Sequence, residues 1–208
     1  MNPTKTMIGD ALLSFSPELF PVDAPRKSAG VCLILSEHVH EGELSLLMIR
    51  RAKYKGDPWS GHMAFPGGRV EAHDPSIKSA ALRELSEELS VDESSLTYLG
   101  QLSDLQATMV AKHKRLVLSS FVFLASSPLT LTPNSEVAAY YWIPLQFFLG
   151  AKRRNMWWMR RFRVIALPFY RYQAQRIWGL SLAMIDQLFQ LSGIPLTRKP
   201  LHRAYRGK

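Results

Sequence analysis

The chain is 208 residues long, 47% hydrophobic and 21% charged, with one cysteine and a formal net charge of +9. That balance fits one domain with a sizeable core, alone or with an appendage, and excludes a disordered chain. No apolar run approaches the roughly eighteen residues of a membrane-spanning helix, the N-terminal stretch has no signal-type apolar core, and a lone cysteine excludes a disulfide framework, so a cytoplasmic protein is expected.

The net charge hides an asymmetry. Residues 1–149 hold 13 Lys and Arg against 16 Asp and Glu, a balance of −3, whereas residues 150–208 hold 13 against Asp186 alone, a balance of +12. An acidic portion joined to a strongly basic one implies an anionic partner or substrate.

In chain order, residues 1–28 carry Pro3, Pro17, Pro21 and Pro25 and read as a lead-in, a short helix followed by an extended segment. Two β-rich apolar runs follow, 29–35 and 43–49, and the polar stretch 36–42 between them predicts a hairpin with a long loop. Cys32 sits inside the first run, where a buried, inert thiol is expected. Residues 53–61 form a loop with Gly56, Pro58, Ser60 and Gly61. A helix over 75–89 is followed by strands over 96–105 and 116–124, the second nearly continuously apolar and therefore central. A turn region at 128–135 precedes a short aromatic strand over 137–143, and Pro144 opens a helix to 149 at its first position. Apolar residues at helical spacing over 178–191 predict a last helix, stopped by Gly193, and 193–208 reads as a basic tail. The main domain thus spans 29–192.

The 75–89 helix carries the chemistry. Glu84, Glu87 and Glu88 share one face at spacings i, i+3 and i+4, while Leu82, Leu85 and Leu89 form a separate apolar stripe. Like charges so placed repel by a few tenths of a kcal/mol per pair, roughly. A hard divalent cation with oxygen ligands relieves that repulsion; a solvated acidic face is the plain alternative. The Gly67-Gly68 pair ahead of the helix lets backbone carbonyls approach the same ion. Asp74 before Pro75 predicts an N-cap, Arg83 is spaced to pair with Glu87, and Ser90 falls where helices often turn left-handed.

Gly68, then Asp74 after five residues, then Arg83-Glu84-Leu85-Ser86-Glu87-Glu88-Leu89-Ser90-Val91 after eight more resembles the Nudix box. Asp74 stands where that pattern has glutamate, the gap to Arg83 is one residue longer, and Ser90 replaces the final glycine. The first two departures resemble the coenzyme A pyrophosphatase branch of the family. Leu46-Leu47-Met48-Ile49-Arg50-Arg51-Ala52 followed by Gly61-His62-Met63-Ala64-Phe65-Pro66-Gly67-Gly68 is similar to that branch's upstream signature, although the loop 56–60 departs from its arginine-containing form. Residues 119–123, 133–137, 141–145 and 176–181 resemble later landmarks, so the resemblance covers about 29 to 192.

The resemblance implies an α+β fold, an α/β/α sandwich with a mixed sheet and the box helix packed on it. It implies Mg²⁺ or Mn²⁺ and hydrolysis of a nucleoside diphosphate linked to another group. For the branch, the substrate is coenzyme A or acyl-CoA, cut to 3′,5′-ADP and (acyl-)4′-phosphopantetheine. Carried over by position, Glu84, Glu87 and Glu88 are metal ligands, with a backbone carbonyl of Gly67 or Gly68. Glu84 is a further ligand or the base that takes the water's proton, Glu87 is catalytic through the metal, and Arg83 orients the acids. Asp74 caps the helix or touches the metal shell, and Glu71 is either a ligand or a solvated acid. Glu136 is the candidate distal acid, with Asp104 behind it, and His113 is a phosphate contact or an exposed loop histidine.

Arg50, Arg51, Arg153, Arg154 and Trp157 are the candidate substrate contacts. The run from Lys152 to Arg163 interleaves arginines with aromatics, which suits the phosphates and adenine of coenzyme A. It also suits single-stranded RNA, an anionic membrane surface, or a solvated loop whose tryptophans close the core. The rival functions are a Nudix hydrolase of NAD-type dinucleotides or capped RNA, and a nucleotide- or RNA-binding module without turnover.

Overall fold

The structure is a computed structural model that describes residues 2–21, 28–56, 59–109, 114–160 and 163–195. Its organising strand is β1 (Ser28–His40), which is buried on both faces from Ser28 to Ser36. It pairs antiparallel with β2 (Glu43–Arg51) and with the short β4 (Gly67–Arg69), and parallel with β7 (Lys114–Ala125). β3 (Met63–Ala64) and β8 (Val137–Pro144) add to β2, while β5 (Leu96–Gln101) and β6 (Leu105–Met109) add to β7. One parallel pairing among antiparallel ones makes this eight-stranded sheet mixed.

Strand alternation sends successive side chains to opposite faces, and each face buries its own helices. Cys32, Ile34, Leu47, Ile49, Phe121 and Phe123 meet Ala81, Leu82, Leu85 and Leu89 of α2 (Ile77–Leu89). Leu33, Leu35, Leu46 and Met48 meet α1 (Lys5–Leu13), α3 (Leu145–Gly150) and α4 (Gly179–Leu191) through Ile8, Leu12, Leu145, Phe148, Leu182 and Phe189. The result is the α/β/α sandwich that the family resemblance implies. Cys32 is fully buried, and burial drives its thiol pKa well up, so it is the inert core thiol expected.

Four local expectations need correction. The hairpin after β1 has no long loop, because the strand runs on to His40, which pairs with Glu43 around Glu41-Gly42. The strand expected over 96–105 breaks at 102–104, where Asp104 turns inward and accepts from Phe20 N (2.9 Å) and Ser119 Oγ (2.7 Å). A buried carboxylate must find such partners, and here they fasten the lead-in to the sheet. The N-cap of α2 is Ser76, whose hydroxyl accepts from Ser79 N at 3.0 Å, rather than Asp74, which is taken up by Arg83. The basic run after 152 is a three-stranded meander, β9 (Arg154–Arg160), β10 (Arg163–Tyr172) and β11 (Gln175–Trp178). Arg153, at its foot, is buried in a two-pronged ion pair with Asp186 of α4, at 3.1 and 2.9 Å.

α2 sits unusually close to the sheet because β1 presents Gly30 beneath it. A Cβ there would run into the Ile77 carbonyl oxygen and lie 3.0 Å from the Ala81 Cβ. Gly30→Ala therefore lifts the helix. The expected cost is about 1–3 kcal/mol, read as a lower urea midpoint with an unchanged m-value.

Candidate active site

The N-terminal edge of the site is the turn entering β4. Gly67 has φ +139°, a left-handed value that only glycine adopts readily. A side chain at Gly67 would also collide with the backbone of Gly30 and Val31, and one at Gly68 would occupy the place of the Glu84 carboxylate. The turn and the last two turns of α2 are thus in contact, joined where both lack side-chain bulk. Gly67 N donates to Glu88 Oε2 at 2.9 Å.

Arg83 reaches the other way and organises the acids. Its Nε and Nη2 donate to the two oxygens of Asp74 at 3.0 and 3.1 Å, its Nη1 to Glu87 Oε1 at 3.1 Å, and its Nη2 to the Arg69 carbonyl at 3.2 Å. Nη1 also lies 3.2 Å from Glu84 Oε1. Asp74 further accepts from Glu71 N at 2.8 Å, and these donors, Arg83 first, hold its carboxyl below the usual carboxylate range. One guanidinium therefore locks the loop before α2 to the acidic face of the helix.

The three helix acids differ in setting. Glu87 is exposed and leans on Arg83. Glu84 is half-buried, and desolvation raises its pKa, with the Glu87 and Glu136 charges adding and Arg83 opposing. Glu88 is 2% exposed, and burial pushes its carboxyl up to about 7 against the opposing Gly67 hydrogen bond and Arg51. Ser90 closes the helix in the left-handed conformation expected, at φ 57°.

Glu136 is on the loop before β8, and its charge acts on both Glu84 and Glu88. That loop is tied down on two sides. Thr132 N and Asn134 N donate to the Leu89 and Glu88 carbonyls at the end of α2, each at 2.9 Å. Ala52 N donates to the Glu136 carbonyl at 2.7 Å, and the Tyr54 hydroxyl to the Ser135 carbonyl at 2.9 Å. Tyr54 and Asn134 are residues that sequence reasoning missed; tyrosine in a glycine-bearing loop gives no signal of a partner 81 residues away.

Among the described residues, no three acidic, histidine or cysteine side chains converge on one point. The helix acids are drawn instead to Arg83 and to Gly67 N. Their chemistry nevertheless suits a divalent cation. All are hard oxygen donors, and burial holds two of them, Glu84 and Glu88, toward protonation.

The other sequence candidates separate. Glu71 is exposed and lies 3.6 Å from His73. Asp104, the alternative distal acid, is buried in the lead-in contact and does not join the helix acids. A β-bulge between Arg50 and Arg51 re-aims the end of β2, and the Arg51 charge acts on Glu88. Arg50 is half-buried, its Nε enclosed without a hydrogen-bond partner among the described residues. Arg153 is corrected from substrate contact to internal anchor, since Asp186 takes both prongs of its guanidinium. Arg154 and Trp157 are exposed, but their odd spacing on β9 puts them on opposite faces, so they do not act together. His113, Arg161 and the tail from 196 lie outside the described residues.

The glycine turn, arginine clamp and acid-bearing helix on a mixed sheet define the class, and comparison with known proteins gives the family. The profile described as NUDIX domain matches residues 24–164. The chain is 31% identical to an uncharacterized Nudix hydrolase, NudL, of Pectobacterium atrosepticum, over 94% of this chain and 100% of that one. It is 34% identical to the NudL of Photorhabdus laumondii, over 63% of this chain and 68% of that one. A crystal structure of a Nudix hydrolase from M. Smegmatis, RenU, is similar with 21% identity and a TM-score of 0.49, covering 60% of this chain and 74% of that one. The chain belongs to the Nudix hydrolase family.

A carboxyl whose pKa is higher in the folded than in the unfolded protein takes up a proton on folding between the two values. For Glu88 that window runs from the ordinary 4.5 to about 7, so its contribution to stability is lost as pH rises through it. In chelator-treated protein, the loss of stability between pH 5 and 7.5 is expected to be smaller in Glu88→Gln than in wild type by on the order of 2 kcal/mol. Parallel slopes of melting temperature against pH for the two proteins would refute this.

Proposed function

We propose that this chain hydrolyses the diphosphate of coenzyme A or an acyl-CoA, releasing 3′,5′-ADP and (acyl-)4′-phosphopantetheine. The observation that carries the hydrolytic part is the closure of the acidic face of α2 onto the Gly67-Gly68 turn, which buries the Glu84 and Glu88 carboxyls beside it. Coenzyme A as substrate is supported by the sequence resemblance, through Asp74, its spacing to Arg83 and the upstream signature.

Glu84, Glu87 and Glu88, with a carbonyl of Gly67 or Gly68, are the residues to hold Mg²⁺ or Mn²⁺. Such an ion neutralises a diphosphate and lowers the pKa of water. Glu84, whose pKa burial raises above the usual carboxylate range, suits a proton acceptor as well as a ligand. Glu136 stands as the distal acid, held by its doubly tethered loop. Arg83 keeps Glu87 and the Asp74 loop in place while the diphosphate binds, and Arg51 supplies positive charge at the rim.

Incubation with coenzyme A and Mg²⁺ or Mn²⁺ is expected to yield 3′,5′-ADP, and Glu87→Gln and Glu88→Gln to lower turnover at least about a hundredfold with the fold intact. Cleavage of NAD-type dinucleotides or capped RNA in the same panel, with coenzyme A left whole, would transfer the function to the rival reading. Tyr54→Phe removes one tether of the Glu136 loop and leaves its backbone bonds in place. It is expected to lower kcat several-fold with KM little changed, and an unchanged kcat would show that the tether is structural only.

A further inference from the structure

The meander contains a surface that the sequence does not display. Register puts Arg154 opposite Phe169, Phe169 opposite Trp178, and Arg171 opposite Arg176. Paired residues share a face, as do residues two apart on one strand, so these three arginines and two aromatics lie on one side of the meander. The other side carries Arg153, Tyr170, Tyr172 and Ile177, which pack toward α3 and α4. The three arginines of the outer face are exposed.

Two facts make this face unusual. Like charges directly opposite on neighbouring strands repel, yet Arg171 and Arg176 are so placed, with Arg154 beside them. The sequence offers them no acid nearby either. Residues 150–208 contain only Asp186, and Arg153 holds it inside the protein. None of Arg154, Arg171 and Arg176 enters an ion pair among the described residues. The guanidiniums are held by weaker contacts. Arg176 lies over the Phe169 ring at 5.4 Å, and Arg171 Nε donates to the Gln173 carbonyl at 3.4 Å. Both contacts fix the side chains without neutralising them.

The face is also continuous with the acid site. The Trp178 ring meets the His62 ring edge-on at 5.0 Å, and the His62 carbonyl accepts from Arg51 N at 3.0 Å. Arg51 in turn acts on Glu88.

We propose that Arg154, Arg171 and Arg176 form a binding site for a phosphate monoester of the substrate, remote from the diphosphate that is cut. The chemistry follows from the residues. A dianionic phosphate accepts several charge-assisted hydrogen bonds at once, which paired guanidinium forks supply in fixed geometry. The half-buried Trp178 offers a ring beside it for the attached nucleoside, while Phe169 lies buried beneath Arg176. This rests on the proposed function for the nature of the substrate, though the arginine site itself is read without turnover.

Adenosine 3′,5′-bisphosphate and 5′-AMP differ by one phosphate monoester and serve as the probes, titrated by calorimetry against the full chain. Wild type is expected to bind the bisphosphate at least about tenfold more tightly. Arg171→Ala/Arg176→Ala is expected to bind both with the affinity that wild type shows for 5′-AMP, with Arg171→Lys/Arg176→Lys between. Equal affinities in wild type, or discrimination that survives in the alanine variant, would overturn the proposal. So would arginine-dependent binding of an RNA oligonucleotide with no discrimination between the two probes. If coenzyme A is not cleaved while the arginines still select the bisphosphate, the proposed function fails and this site stands.

Discussion

The approach of α2 to the sheet is the constraint on which the rest depends. Side-chain packing normally keeps a helix well clear of the backbone beneath it. Here Gly30, Gly67 and Gly68 remove that clearance in one place, so the helix backbone near Ile77 rests on β1 and the Glu84 carboxylate rests on the turn. The apolar stripe of Leu82, Leu85 and Leu89 supplies the burial that holds the helix down. Glu84 and Glu88, though not the exposed Glu87, are then carried into burial by the same contact. Their raised pKa values follow from packing, before any ligand is considered.

Arg83 keeps that arrangement from flying apart. A helix face bearing three carboxylates, pressed against backbone, would be expected to rotate outward. The guanidinium meets four different oxygen-bearing groups, from Arg69, Asp74, Glu84 and Glu87. Asp74 thereby becomes useful in a way that helix capping does not require. Its carboxylate balances Arg83 from the far side, which lets one cation serve helix and loop together.

Much of this was legible in the chain. Continuous apolar runs placed the central strands and a 3.6-residue period placed α2, because β1 is buried on both faces and α2 on one. The acid spacing and the left-handed residue at Ser90 were equally plain. What escaped reading depended on partners distant in sequence. Asp104 looked like any surface acid until the lead-in folded over it. Arg153 looked like its neighbour Arg154, and only the position of Asp186 on α4 tells them apart. The meander was hidden because its arginines recur on one face between aromatics, which reads as a charged run when the strand register is unknown.

The acids of α2 lie in its final two turns, next to Leu89. Aligned peptide dipoles leave that end of a helix partially negative, a poor place for carboxylates and a good one for cations. Asn134 and Thr132 use two of the end carbonyls and blunt the effect without reversing it. The fold therefore carries a standing electrostatic debt at one spot. Occupancy by positive charge there is tied to the integrity of the helix end, and with it to the loop that bears Glu136. Order in that loop becomes a reporter of what the helix holds.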